Sequence, residues 1–406
     1  MNDTEKVRWL FLDLNAYFAS VEQQEIPALR GKPVAVVPMM ADSTCCIAAS
    51  YEAKAFGIRC GTLVREAKVL CPEIRLIEAR HDLYVRYHHA IVDAVESCVP
   101  VAAVLSIDEM ASQLLGSQKD IPNAQALAAK IKATIARQVG PYMKSSIGLA
   151  PNRFLAKLAS DMQKPDGLTV IREMDLPHIL YKLELRDLPG IGARMEKHLH
   201  EHGIYTMEEL CRLSKAQTHA AWGGIVGEHF YAWLRGEVIR ETPTQRRSIS
   251  HSHVLEPEAR TRTGAFKIAQ KLVTNACIRL RKMDYWAGGL WVGVGFLGDH
   301  GWDNREGLDE RQDTPTFLAA LNRLWKTIPN ERPIRVSAVL YPLIPRQRHT
   351  PSLFENPKQE LLSKAMDQIN ARYGHYAAYY ASLFDTKGKA PTRIAFTSIP
   401  DLSSEF

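Results

Sequence analysis

The 406-residue chain has no run approaching 18 consecutive apolar residues, which excludes a conventional membrane-spanning helix. Its opening, MNDTEKVRWLFLDL, carries acids early and lacks the apolar stretch and cleavage site of a secretory signal, so a cytoplasmic protein is expected. Cysteine is scattered. The seven residues at 45, 46, 60, 71, 98, 211 and 277 form no C-x-x-C pair, and reduced thiols rather than a disulfide framework or a cysteine-rich metal site are expected. H-S-H at 251–253 has no second ligand pair at zinc-finger spacing. A single G-x-G-x-x-G string, GVGFLG at 293–298, is followed by DHGWDN, a turn and not a helix, so a nicotinamide site is rejected. SLFEN and SLFDT are too short to count as an internal repeat.

What is present is the composition of a soluble globular protein, 46% hydrophobic and 24% charged. The net charge is +6, and its placement is uneven. Residues 243–350 hold 17 Lys+Arg against 10 Asp+Glu, an excess of +7, which leaves the rest at 6 − 7 = −1. A basic module on a neutral body suits either a polyanionic partner or an ordinary solvated face.

Residues 8–14 read as a buried strand reaching Asp13, and 16–24 as a helix. A β-rich run at 32–38 and a strand-then-helix stretch at 44–58 follow. A helix is predicted at 82–100, an acidic strand at 101–107 ending in Asp108 and Glu109, and a helix at 123–140. Residues 144–171 read strand, turn, helix, loop, strand, so the chain up to about 175 is expected to form one α/β unit. DLPGIGARMEKHLHEHGI (187–204) has the pattern of a helix-hairpin-helix, in which Gly190 and Gly192 free backbone N–H groups to approach a DNA phosphate. Residues 241–253 read as a polar, basic linker. A small α+β domain follows, with a helix at 265–283 and strands at 288–296 and 334–343. A last helix is predicted over 356–374, with Asn356 as N-cap and Pro357 in its first turn.

The stretch VLSIDEM (104–110) sets two carboxylates among apolar neighbours, where an unpaired charge is unfavourable. Should the strands ending at Asp13 and at Asp108–Glu109 be neighbours, three carboxylates converge. Hard oxygen donors of this kind suit Mg²⁺, and two such ions about 4 Å apart can stabilise a phosphoryl transfer. The competing reading is a strand-end turn whose acids pair with Lys or Arg.

Several segments resemble the Y-family (DinB/UmuC-like) translesion DNA polymerases. FLDLNAYFASVEQQ, SYEAKAFGIRCGT, LSIDE, SIGLAPNRFLAKLASDMQKPDGLTVI and DLPGIG follow the family's motifs in order across residues 9–192. The tail SLFENPKQELLSKAMDQINARYG looks more like the UmuC branch than the polymerase IV branch. The resemblance implies an α/β and α+β multidomain fold, a right hand with palm (1–17 and 78–174), fingers (18–77), helix-hairpin-helix thumb (175–242), linker (243–249), little finger (250–346) and a C-terminal tail (347–406). It implies that Asp13 and Asp108 ligate two Mg²⁺ ions, that the Leu14 carbonyl assists, and that Glu109 completes the catalytic ion, with Mn²⁺ able to substitute. Phe18 matches the aromatic gate against a ribose 2′-hydroxyl, and Tyr51, Lys54 and Lys164 match the triphosphate-binding positions.

The implied partners are primer-template DNA and deoxynucleoside triphosphates, with Gly190, Gly192, Arg246 and Arg247 as DNA-binding candidates. The location implied is the cytoplasm, on the nucleoid in a bacterium. Leu353 and Phe354 are the candidates for a sliding-clamp peptide, and other SOS or repair proteins are further candidate partners; no membrane is involved. The chain departs from the family at Met110–Gln113, Asn15, Lys54 and Ala48. Met110–Gln113 keeps a second reading open, a catalytically weak or silent DNA-binding accessory subunit, against which the retained Asp13, Asp108 and Glu109 argue. A metal-dependent nuclease would also cluster acids but leaves Phe18, Tyr51 and Lys164 unexplained together.

Overall fold

The computed structural model describes residues 6–240, 245–298, 300–351, 357–374, 376–386 and 399. In chain order the first part contains β1 (Trp9–Leu14), α1 (Tyr17–Glu25), β2 (Val34–Val37), β3 (Ala48–Ala49), α2 (Tyr51–Lys54), α3 (Val64–Leu70), β4 (Arg75–Glu78) and α4 (His81–Glu96). There follow β5 (Ala103–Val104), β6 (Glu109–Gln113), α5 (Ile121–Gln138), β7 (Ser145–Ala150), α6 (Arg153–Met162) and β8 (Leu168–Val170), then the helices α7 (Ala193–Glu201), α8 (Met207–Arg212), α9 (Lys215–Trp222) and α10 (Ile225–Trp233). Contacts divide the chain into two units, with the break between Glu241 and Thr242.

In the first unit a five-stranded sheet runs β5-β6-β1-β7-β8, with β1 antiparallel to both β6 and β7. Strand alternation sends Leu10, Leu12 and Leu14 to one face, where α4 and α5 cover them. Pro122 opens α5, and Ala124, Ala128, Ile131 and Ile135 fall on its buried stripe. Phe11 points to the opposite face and packs with Leu155, Leu158 and Ala159 of α6. Asp13, next in the alternation after Phe11, therefore also faces α6. The Asn152 side chain caps α6 by accepting from the Leu155 amide at 2.8 Å. A second sheet, β3-β2-β4, has its own small core around Ala35, Val37, Ala53 and Ile58. Among the described residues no helix is long and apolar enough to cross a membrane.

The second unit contains β9 (Ile249–Val254), α11 (Arg262–Lys282), β10 (Tyr285–Phe296), β11 (Gly301–Arg311), α12 (Thr314–Leu324), β12 (Pro333–Leu340), β13 (Leu343–Pro345) and α13 (Pro357–Tyr373). Its sheet is ordered β11-β10-β12-β9, with β13 also on β10. Leu290, Val292, Val294 and Phe296 alternate toward α11 and α12. Arg281 ties α13 to α11 through both oxygens of Asp367, at 2.6 and 2.8 Å.

Four expectations change. The acidic strand at 101–107 is instead a two-residue strand, a turn, and then β6, so Asp108 lies in the turn and Glu109 begins a strand. Ser106 explains the reversal: its hydroxyl bonds both the amide and the carboxylate of Asp108, a local turn that competes with a ladder. The linker expected at 241–253 is partly β9, which pairs with β12 from Ile249 to Val254. The segment before the Gly190 turn is a 3₁₀ turn, Leu185–Asp187, and not an α-helix. Strand β11 lacks the apolar alternation that marks a strand in the sequence, because charges interrupt it on both faces, as suits an edge strand.

Helix α6 lies close against β7. A Cβ added at Gly148 would stand 2.0 Å from the Ala156 carbonyl oxygen and 2.5 Å from the Ser160 amide nitrogen, both backbone atoms. Gly148→Ala is expected to cost at least about 2 kcal/mol. Thermal melting should show the transition moving down by roughly 5 °C; an unchanged midpoint would contradict this packing.

Candidate active site

The acids meet because β1 and β6 are antiparallel. Asp13, near the end of β1, is the register partner of Glu109, at the start of β6. The Leu14 amide donates to the Asp108 carbonyl at 2.8 Å and ties the adjoining turn to β1. Asp13 is buried; Asp108 and Glu109 are partly exposed.

Helix α6 delivers cations to this edge. The Lys157 ammonium donates to Asp13 Oδ2 at 2.6 Å and stands 2.7 Å from Glu109 Oε1 and 3.2 Å from Asp161 Oδ2. Lys164, just beyond the helix, pairs with Asp13 Oδ1 at 2.7 Å and Asp161 Oδ1 at 2.8 Å. Four carboxylates (Asp13, Asp108, Glu109, Asp161) gather here, and two lysines, Lys157 and Lys164, pair directly with three of them. Burial raises the Asp108 carboxyl, against the hydrogen bond from Ser106, and the Asp13 charge raises it further. Burial also raises Glu109 and outweighs the Lys157 charge beside it. For Lys157 and Lys164 burial alone would favour the neutral amine, but Asp13 and Asp161 hold both above the ordinary lysine range.

Among the described residues no group of three or more His, Cys, Asp or Glu is drawn tightly enough together to hold a metal ion as it stands. Lys157 instead bridges Asp13 and Glu109. Both readings of VLSIDEM thus meet in one place: Asp108 lies in a turn and takes the Ser106 hydroxyl, Glu109 begins a strand and pairs with Lys157, and the carboxylates outnumber the lysines paired with them. Hard carboxylate oxygens with that excess fit divalent cations.

Asn15 is not among the converging acids. Its Oδ1 accepts from the Asp166 amide at 2.7 Å and its Nδ2 donates to Ser146 Oγ at 3.1 Å. An ionised aspartate could accept but not donate here, so the amide gives the Asn at this position a job in holding the loop behind Lys164. Lys132 supports the same loop through the Asp166 and Gly167 carbonyls, at 2.6 and 2.8 Å. Met110 and Ala111, within the Met110–Gln113 departure, are buried on opposite faces, and β6 keeps its full register with β1.

Phe18 is half-buried in the first turn of α1, which follows Ala16 at φ 48°, a left-handed conformation unusual for a non-glycine residue. Tyr51 and Lys54 lie on α2, capped by Ser50, with the Lys54 ammonium 4.2 Å from the centre of the Tyr51 ring. Burial and then Lys164 lower the Lys54 ammonium. Burial raises the Tyr51 phenol; Lys164 opposes this and Asp13 and Asp161 add to it, so α2 shares its electrostatic surroundings with the acids.

Gly190, at φ 90°, forms the turn before α7, and Gly192 caps that helix. They lie apart from the acid cluster in the chain's helical segment. Arg246 and Arg247 are exposed and belong to the second unit. Leu353, Phe354 and Asn356 lie outside the described residues.

Lys157, Asp161 and His88 were not singled out from the sequence. The first two could have been found from their one-turn spacing on a helix that follows the motif strand. The buried His88 ring carries its proton on Nδ1, which donates to the Ile107 carbonyl at 2.7 Å and fixes the turn beside Asp108. No local pattern announces that contact across 19 residues.

The profile of the impB/mucB/samB family matches residues 12–161, and that described as "DNA polymerase-iota, thumb domain" matches residues 186–237. DNA polymerase IV of Moorella thermoacetica is 33% identical over 384 residues, 92% of this chain and 95% of the relative. DNA polymerase IV of Pelotomaculum thermopropionicum is 31% identical over 91% of this chain and 93% of its own length. Among solved structures a Y-family DNA polymerase chimera superposes with a TM-score of 0.70 at 22% identity, over 83% of this chain and 99% of the other.

The raised acids give a pH dependence. Asp108 and Glu109 keep protons to higher pH than ordinary carboxyls, so without cations the native state binds more protons than the unfolded chain. Their contribution to stability is therefore lost as pH rises out of the ordinary carboxylate range. Divalent cations require the ionised oxygens. Saturating Mg²⁺ should raise the melting midpoint more at neutral pH than near pH 5. A midpoint shift independent of pH would contradict this assignment of the acids.

Proposed function

The chain belongs to the Y family of DNA polymerases, which the impB/mucB/samB profile describes, and on that footing we propose that it extends a primer past damaged template bases by nucleotidyl transfer at the Asp13–Asp108–Glu109 edge. The observation that carries this reading is the antiparallel register that sets Asp13 opposite Glu109, with Asp108 in the adjoining turn and more carboxylates there than lysines directly paired with them. The palm corresponds to the five-stranded sheet, the fingers to the β3-β2-β4 sheet, the thumb to α7–α10, and the little finger to the second unit.

Y-family polymerases use divalent metal ions; here we assign two Mg²⁺ ions, replaceable by Mn²⁺. Asp13, Asp108, Glu109 and the Leu14 carbonyl would hold them. When bound, such ions supply Lewis-acid stabilisation of the attacking and leaving oxygens. The chain's own groups do the rest. Lys164, now on Asp13, is placed to turn to the triphosphate as its charge enters, and Lys54 and Tyr51 take further phosphate oxygens. Lys157 holds Asp13 and Glu109 together while no other cation is present. Phe18 presents an aromatic wall to the sugar and rejects a 2′-hydroxyl. Gly190 and Gly192 open backbone N–H groups to a DNA phosphate, and Arg246 and Arg247 add backbone charge contacts. Leu353 and Phe354 are assigned to a sliding clamp, and the enzyme is placed in the cytoplasm, on the nucleoid if the source is bacterial. The silent-accessory reading drew on Met110–Gln113, and β6 keeps its register through those residues.

Primer extension with Mg²⁺ on an undamaged template is the test. The parent should lengthen the primer, and Asp108→Ala and Glu109→Ala should each lose at least about 10³-fold in rate. Lesion-bearing templates come next. A parent that binds primer-template and adds nothing favours the accessory, and a parent that shortens the primer favours a nuclease. Removing the phosphate-facing charge in Lys54→Ala should raise the KM for the incoming nucleotide roughly tenfold, more than it lowers kcat; the reverse split would contradict a binding role.

A further inference from the structure

Behind Phe18 lies a polar anchor that nucleotide binding does not use directly. The Phe18 ring stacks on Tyr84 of α4, with centroids 4.3 Å apart and planes inclined by 14°. His81, three residues earlier on α4, sets its ring edge-on to Phe18 at 6.5 Å. Tyr84 is wholly buried and held at both ends. Its hydroxyl donates to Glu22 Oε1 at 2.8 Å, and its backbone carbonyl accepts from the Tyr17 hydroxyl at 2.6 Å. Glu22 has no exposed surface. It also accepts from Arg80 Nε at 3.1 Å, and a second Arg80 nitrogen bonds its other oxygen.

Phe18 and Glu22 are four residues apart on α1, so they occupy one helical face a turn apart. Tyr84 spans that turn, its ring on Phe18 and its hydroxyl on Glu22. A carboxylate without solvent is unfavourable unless it is fully paired, and pairing fixes its partners in one geometry. An aromatic wall can reject one extra hydroxyl only while it is unable to retreat, and Tyr84 closes the direction of retreat.

We propose that Tyr84, locked by Glu22 and Arg80, is a positioning residue for Phe18 and sets how strongly the site rejects ribonucleoside triphosphates. The inference rests on the reading of Phe18 as the wall against the ribose hydroxyl.

The test is the ratio of kcat/KM for dCTP to that for CTP, opposite guanine on one primer-template with the full chain. Tyr84→Leu removes both stack and lock, and it should lower the ratio roughly tenfold. Its efficiency with dCTP should stay within about threefold of the parent. Tyr84→Phe keeps the stack but loses the hydroxyl, and it should fall between parent and Tyr84→Leu; it also carries the test if Tyr84→Leu does not fold. Combining Tyr84→Leu with Phe18→Ala should lower the ratio no further than Phe18→Ala alone, because both act through one wall. A merely structural loss would slow both nucleotides alike and leave the ratio unchanged. The inference is overturned if both Tyr84 variants keep the parent ratio while Phe18→Ala loses it. If Phe18→Ala itself keeps the ratio, the reading of Phe18 fails and the inference falls with it.

Discussion

Two antiparallel strands bring Asp13 against Glu109, and the charge collected there is the constraint on which the rest of the first unit depends. Like charges brought out of water repel and are poorly solvated, and the fold tolerates them only by placing cations among them. Lys157 and Lys164 meet part of the demand. On the proposed reading the remaining carboxylate oxygens are what divalent ions and the phosphates they carry would meet.

That edge is held from several directions. Helix α6 delivers Lys157 because Gly148 lets it lie directly on β7. The turn carrying Asp108 is fixed by Ser106 within the turn and by His88 from beneath. Asn15 and Lys132 together hold the loop that presents Lys164. The supports of the turn and the loop use buried or half-buried polar side chains, each with a hydrogen-bond partner, which is how a charged site is kept rigid without an apolar filling.

Much of this was legible in the sequence. Asp13, Asp108, Glu109 and Lys164 sit in short motifs whose residue types carry their chemistry, and alternation along LFLDL already separates the leucines from Phe11 and Asp13. The topology behind their meeting was less legible. SID reads as the end of a strand until Ser106 is seen to turn the chain, and that contact depends on side-chain geometry and not on periodicity. His88 meets Ile107 and Tyr84 meets Phe18 through packing between distant segments, which no local window contains. Strand β9 was hidden by its Ser and His residues, and β11 by its charges, since edge strands need not alternate cleanly.

The central claim is that Asp13, Asp108 and Glu109 form a divalent-ion site that completes itself with DNA and nucleotide. Electron paramagnetic resonance of Mn²⁺, titrated into the full chain bound to primer-template and a non-hydrolysable deoxynucleotide analogue, tests it most directly. The account predicts ions bound by the parent complex and lost from the Asp13→Asn complex. Mn²⁺ bound equally by both, or by neither, would contradict it.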